Sequence, residues 1–183
     1  FAHYRAGTLD IHDYVRFATD AVRTRGPAAA AEAHARFMQD VVQPVITDAA
    51  RALIAQHRAA GDDIVIVTAT NELVTRPIAD ALGVEELIAV QLENARGADG
   101  VDWITGNIRG VPSAREGKVT RMEQWLAGRG LDWGGVRSTF YTDSMNDIAL
   151  LEKVDHPVAT NPDERLRALA QERGWRILDI FKP

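Results

Sequence analysis

The 183-residue sequence contains no cysteine, which excludes disulfides, thiolate metal sites and cysteine nucleophiles. It has no apolar run long enough to span a bilayer. The opening Phe1-Ala2-His3-Tyr4-Arg5 lacks the charged-then-apolar pattern of a secretory signal, so a cytoplasmic location is expected. Positive charge is scarce: 21 Lys and Arg against 26 Asp and Glu leave a formal net charge of -5. Such a balance offers no broad basic footprint to a phosphate-rich polymer. A small-molecule substrate is therefore expected, with neither nucleic acid nor membrane as partner. An initiating Met is also missing. Phe1, Tyr4, Ile11 and Tyr14 read as parts of helices already under way, so the natural chain is expected to begin earlier.

With 46% hydrophobic and 26% charged residues, the chain can build one sizeable core with room for a small accessory lobe. There is no internal repeat, although Ala28 to Ala33 is alanine-rich. Three-to-four spacing of Tyr14, Val15, Phe17, Ala18, Ala21 and Val22 predicts a helical hairpin, Ile11 to Thr24 and Ala28 to Val42, broken at Arg25-Gly26-Pro27. Beyond Gln43-Pro44 the pattern becomes an alternation. Helices are expected at Asp48 to Ala60, Glu72 to Leu82, Val119 to Gly128, Asp147 to Lys153 and Glu164 to Arg173. Strands are expected at Ile64 to Val67, Leu87 to Leu92, Ser138 to Thr142, Pro157 to Ala159 and Arg176 to Ile180. Thr105-Gly106-Asn107 reads as the turn of a hairpin between short segments at Trp103 and Ile108. The implied class is α/β with a mostly parallel sheet, whose functional residues belong at the carboxyl ends of the strands.

Three places satisfy that rule. Thr68 follows the apolar strand and leads through Ala69-Thr70-Asn71 into a helix, where a hydroxyl and free backbone N–H groups can hold a phosphoryl group. Thr70 or Asn71 can equally well do no more than cap that helix. Lys118, in Arg115-Glu116-Gly117-Lys118, stands just ahead of the helix expected from Val119. There a compact ammonium can neutralise phosphate charge, or simply sit in solvent. Most informative is Phe140-Tyr141-Thr142-Asp143-Ser144-Met145-Asn146-Asp147, a strand running into two carboxylates with the Asn146 amide between them. Asp143 at a strand tip and Asp147 in the next turn form a hard-oxygen pair suited to Mg2+. Their alternative employment is at a helix N-terminus, favoured by its dipole.

Taken in order, Thr68, Lys118 and Asp143/Asp147 resemble motifs two, three and four of the haloacid dehalogenase superfamily. The segments Val65 to Asn71, Glu116-Gly117-Lys118 and Asp143 to Asp147 are most similar to its phosphoserine phosphatase-like branch. The resemblance implies a Rossmann-like core over residues 45–183 and part of a small helical cap over residues 1–44. It also implies a Mg2+-dependent phosphatase for a small phosphorylated metabolite such as phosphoserine or histidinol phosphate. Thr68 and Lys118 would serve catalysis, Ala69, Thr70, Asn71 and Asn146 the substrate, and Asp143 and Asp147 the metal. Arg5, Arg16, Arg23 and Arg25 in the cap are available to an anionic substrate.

One departure from the family pattern matters. The Asp-x-Asp-x-Thr-like motif that ends the family's first strand has no counterpart here: Asp62-Asp63 precede a strand, and Asp99 to Asp102 lie in a glycine-rich stretch. That motif supplies the nucleophile for an aspartyl-phosphate intermediate, so the sequence as it stands is expected to be inactive and its natural form to carry the motif upstream. A receiver domain would place its acidic residues first, and a dinucleotide-binding oxidoreductase would need a glycine-rich phosphate loop that no strand here precedes. A catalytically inactive relative serving as an interaction protein is the remaining alternative.

Overall fold

The computed structural model describes residues 10–97 and 100–180. Phe1, Tyr4, Arg5 and Asp99, which the sequence reading singled out, lie outside the described residues. The chain divides into two units, one running to Pro112 and the other beginning at Ser113.

In the first unit, Asp10 caps helix α1, Ile11–Phe37, by accepting hydrogen bonds from His12 N and Asp13 N. The expected break is present: Gly26 leaves helical geometry at φ 80°, ψ 174° and Pro27 restarts the helix behind it. A π-helical turn, Met38–Val42, and a short helix α2, Gln43–Val45, carry the chain past Pro44. Helix α3, Asp48–Ala60, starts on the Thr47 hydroxyl and stops at Gly61 in the left-handed conformation. Strand β1, Val65–Asn71, then pairs in parallel with β2, Glu86–Val90, around helix α4, Glu72–Ala81. Strands β3, Leu92–Arg96, and β4, Asp102–Ile108, form an antiparallel hairpin. Val15 of α1 packs with Val90, Leu92 and Ile104 in the core of this unit.

The hairpin differs from the sequence expectation in where it turns. Gly97 N donates to Val101 O at 2.8 Å and closes the strands there, while Thr105-Gly106-Asn107 lies inside β4 as a bulge. Pairing jumps from Leu92↔Ile108 to Asn94↔Ile104, so three residues oppose Glu93 alone. Gly106 absorbs the irregularity at φ 91°. Thr105 Oγ1 and Asn107 Nδ2 both donate to Glu93 Oε2, at 2.7 and 3.0 Å. The turn chemistry that the dipeptide Gly106-Asn107 advertises is the same positive φ that a bulge needs.

The second unit opens with helix α5, Glu116–Ala127, and is built on the parallel strands β5, Thr139–Thr142, β6, His156–Thr160, and β7, Arg176–Leu178, in that order. A 3₁₀ turn, Met145–Asp147, and helix α6, Ile148–Leu151, connect β5 to β6, and helix α7, Glu164–Arg173, connects β6 to β7. Leu151, Ala159, Leu166 and Ala170 are fully buried together, each leucine contributing about 1.5–3 kcal/mol by leaving water. Both units thus contain the expected parallel pairing. Among the described residues no helix is long and apolar enough to cross a membrane.

Asp155 ties the starts of β5 and β6: its Oδ2 accepts from Ser138 N at 2.8 Å and from Ser138 Oγ at 3.0 Å. These bonds, the backbone one first, hold the Asp155 carboxyl below the ordinary carboxylate value. A group whose pKa is depressed by folding stabilises above its unfolded pKa, and that contribution is lost as pH falls through the folded value. Urea midpoints measured between pH 6 and pH 3 are therefore expected to fall less steeply for Asp155→Asn than for the parent. Identical slopes would show that the Ser138–Asp155 contact contributes nothing to acid sensitivity.

Candidate active site

Lys118 occupies the first turn of α5, which begins at Glu116 rather than at the expected Val119. Gly117 is helical, and the strained residue is Arg115, at φ 51°, ψ -124°. A non-glycine residue held there costs about 1–3 kcal/mol and persists only where its surroundings over-determine it. The turn delivers Lys118 into the protein, where it is 5% exposed. Its Nζ lies 2.6 Å from Asp147 Oδ1 and 5.9 Å from the centre of the Phe140 ring, within cation–π range.

Asp147 is 6% exposed and ends the 3₁₀ turn after β5. While Oδ1 takes Lys118, Oδ2 accepts the Thr142 hydroxyl at 2.7 Å. Both carboxylate oxygens are thus engaged by protein donors. Thr142 Oγ1 in turn accepts from Ser144 N at 3.2 Å, and the Ser144 hydroxyl accepts from Asn146 N at 3.2 Å. Asp143, between these tied residues, is exposed, and no hydrogen bond or ion pair engages its carboxylate among the described residues. Within the second unit the structure therefore brings Lys118, Asp147 and Thr142 into one buried cluster and leaves Asp143 and the Asn146 side chain available beside it. Sequence reasoning named all of these except Thr142. The available signal was a hydroxyl on the last strand position, directly before Asp143.

Divalent metal chemistry fits part of this set. Mg2+ keeps several waters and needs only one or two carboxylates; Asp143 offers a free one, whereas Asp147 has its oxygens occupied. Among the described residues no group of three or more His, Asp or Glu is placed to hold a metal ion.

The remaining candidates belong to the first unit. Thr68, Ala69 and Thr70 form a bulge near the end of β1. Pairing passes from Val67↔Ile88 to Asn71↔Val90, so all three oppose Ala89, and backbone N–H groups there leave the ladder. Thr70 N donates to Thr68 Oγ1 at 3.1 Å. Asn71 is buried, and its Oδ1 caps α4 by accepting from Val74 N at 3.2 Å. Of the arginines offered to an anionic substrate, Arg16 pairs with Asp13 at 2.8 Å and Arg23 with Asp20 at 2.7 Å, while Arg25 is exposed beside the Gly26 kink. A cleft of about 480 Å³ in this unit is lined by Glu72, Arg76, Asp102 and Trp103 among others. Its charges are spent within the protein: Glu72 accepts from Leu92 N, Arg76 donates to Glu85 O, and Arg96 pairs with Asp102.

Residues 1–152 match the haloacid dehalogenase-like hydrolase family. The chain belongs to that family, as its ordered motifs led us to expect. A histidinol-phosphatase of Neisseria meningitidis serogroup C (strain 8013) is 39% identical over 181 residues, covering 98% of this chain and 80% of that protein. The crystal structure of a protein of unknown function from Bordetella pertussis Tohama I superimposes with a TM-score of 0.90 at 45% identity, covering 98% of this chain and 79% of that one. A phosphoserine phosphohydrolase-like protein from Francisella tularensis subsp. tularensis SCHU S4 shares the fold, with a TM-score of 0.60 at 16% identity over 96% of this chain and 76% of that one. The chain spans about half the length of several other curated relatives.

Removing one partner of a buried ion pair strands the other, at a cost of about 3–5 kcal/mol. Asp147→Ala is expected to lose stability on that scale in urea unfolding, because the Lys118 charge stays buried without a counter-ion. Replacing both partners, Lys118→Met with Asp147→Leu, is expected to recover most of the loss. A cost below about 1 kcal/mol for Asp147→Ala, the range of an exposed pair, would show that the pair does not organise this region.

Proposed function

We propose that this chain is the greater part of a Mg2+-dependent phosphatase that hydrolyses a small phosphomonoester through an aspartyl-phosphate. The observation that carries the reading is the buried ammonium of Lys118, fixed by Asp147 in the 3₁₀ turn after β5, the same turn region that presents the carboxylate of Asp143. The similarity to a histidinol-phosphatase along nearly the whole chain supports it. Of the candidate substrates, histidinol phosphate is the first to test, followed by phosphoserine. The aspartate nucleophile would be carried by chain outside these 183 residues, where the resemblance expects an Asp-x-Asp motif.

In this reading the nucleophilic carboxylate attacks phosphorus, the ester P–O bond breaks, and the alcohol leaves with a proton. Water then cleaves the acyl phosphate and releases inorganic phosphate, regenerating the carboxylate. Thr68 and the backbone N–H of Ala69 hydrogen-bond phosphoryl oxygens, and the Thr70 N–H holds the Thr68 hydroxyl. Asn71 holds the start of α4, directly after the bulge that carries those groups, and Asn146 offers its amide to the bound ester. Lys118 stabilises negative charge that is more concentrated in the transition state than in the ester. Asp143 would hold Mg2+, and Asp147 fixes Lys118 and the turn next to the metal. When bound, the ion would neutralise phosphoryl charge and help align the reacting oxygens. Residues 1–44 act as the cap that selects the leaving group, and Arg25, which pairs with no carboxylate among the described residues, is a cap cation open to substrate.

The test is steady-state hydrolysis of histidinol phosphate, phosphoserine and an aryl phosphate by the chain extended to its native N-terminus, with Mg2+. Lys118→Ala, confirmed folded by circular dichroism, is expected to lower kcat about a hundredfold or more, the scale of losing one preorganised donor. Lys118→Arg is not expected to restore it, since a planar fork cannot replace a compact point charge. Asp143→Asn should weaken Mg2+ dependence and turnover far more than Asp163→Asn, because Asp163 caps α7 by accepting from Leu166 N and Asn caps comparably well. Parent-like turnover by folded Lys118→Ala and Asp143→Asn would remove both residues from the site. Absence of turnover on every ester by the extended parent would favour the inactive interaction protein instead.

A further inference from the structure

We infer that Thr142 is a positioning residue for this reaction, one hydroxyl that holds both the Lys118–Asp147 pair and the turn bearing Asp143; the assignment rests on the phosphatase reading. Thr142 is the last residue of β5 and is nearly buried. Its hydrogen-bond directions are fixed by chemistry. The Ser144 N–H can only donate, so Thr142 Oγ1 accepts there at 3.2 Å. The single hydroxyl proton is left for Asp147 Oδ2, 2.7 Å away, and an ionised carboxylate can only accept.

Consequences follow on both sides of the hydroxyl. Asp147 receives Lys118 on Oδ1 at 2.6 Å and Thr142 on Oδ2, so rotation of the carboxylate about its own bond breaks one contact or the other. With that rotation blocked, the ammonium has a fixed resting place, and one of its three protons is committed to Asp147 while the others remain for an anion. On the other side, the bond from Ser144 N closes the turn immediately after Asp143 and holds that carboxylate outward. One side chain therefore couples the cation of the site to its metal-binding carboxylate. The β5–β6 ladder, Thr142↔Ala159, keeps Thr142 in register.

The experiment compares Thr142→Val, which keeps the branched shape and removes the hydroxyl, with Thr142→Ser, which keeps the hydroxyl, both in the natively extended chain. Outer-shell partners of this kind typically change activity or metal affinity by about 10–100-fold. Thr142→Val is expected to lower kcat within that range with KM little changed. It is also expected to raise the Mg2+ midpoint, read by isothermal titration without substrate, by about tenfold or more. Thr142→Ser is expected to stay close to the parent in both. Should Thr142→Val not fold, Thr142→Ala removes the same hydroxyl with less crowding and is read in the same way. A folded variant without the hydroxyl that keeps parent kcat and parent Mg2+ midpoint overturns the inference and leaves Thr142 a structural residue. If the parent hydrolyses no phosphomonoester, the phosphatase reading fails, and the Mg2+ midpoint alone decides Thr142: a shift upholds its positioning role and no shift overturns it. A parent that binds no Mg2+ overturns both.

Discussion

An ammonium removed from water must keep an anion beside it, and Lys118 keeps Asp147. Burying either charge alone costs several kcal/mol, and the pair recovers that cost only when its geometry is tight and its remaining hydrogen-bonding capacity is met. Here the separation is 2.6 Å and the second carboxylate oxygen is met by Thr142. Much else in the second unit is arranged around this requirement. The strained backbone of Arg115 turns α5 so that its first turn points inward. The 3₁₀ turn after β5 brings Asp147 back to the strand it has just left, and the Phe140 ring covers the ammonium.

The same requirement separates the roles of two aspartates that look equivalent in the sequence. Asp143 and Asp147 lie four positions apart in one polar turn, and spacing alone makes them a matched pair of metal ligands. Their surroundings differ. Asp147 is buried between a lysine and a threonine, whereas Asp143 faces solvent. A carboxylate with both oxygens engaged orients its neighbours, and one with both oxygens free can coordinate an ion.

Local signals accounted for most of the fold. Helix α7 was legible to the residue because Asp163 caps one end and Gly174 closes the other in the left-handed conformation, and α3 likewise ends at Gly61. The break at Gly26-Pro27 was legible for the same reason, since glycine and proline act on the backbone directly. Signals that serve two structures were misread. Gly106 meets the demands of a hairpin turn and of a bulge alike, and only its partner across the ladder, Glu93, distinguishes them. The irregular backbone of Arg115 ahead of α5 has no sequence signal, since arginine does not favour positive φ. Leu87 to Leu92 read as one apolar strand, but the chain leaves β2 at Gln91 to begin the hairpin. In the site, residue types and order were legible, while the contact between Lys118 and Asp147 was not. It joins a helix to a 3₁₀ turn that follows a later strand, and no periodicity reports such a pairing.

The central claim is that the pinned ammonium of Lys118 faces a phosphoryl group. The most direct measurement is isothermal titration of inorganic phosphate, with Mg2+ present, into the protein carrying the proposed upstream Asp-x-Asp segment, comparing the parent with Lys118→Met. The account predicts that the parent binds phosphate and that losing the ammonium weakens binding by about tenfold or more, equivalent to at least 1.4 kcal/mol. Equal affinities in two folded proteins would contradict it and make Lys118 a purely structural partner of Asp147.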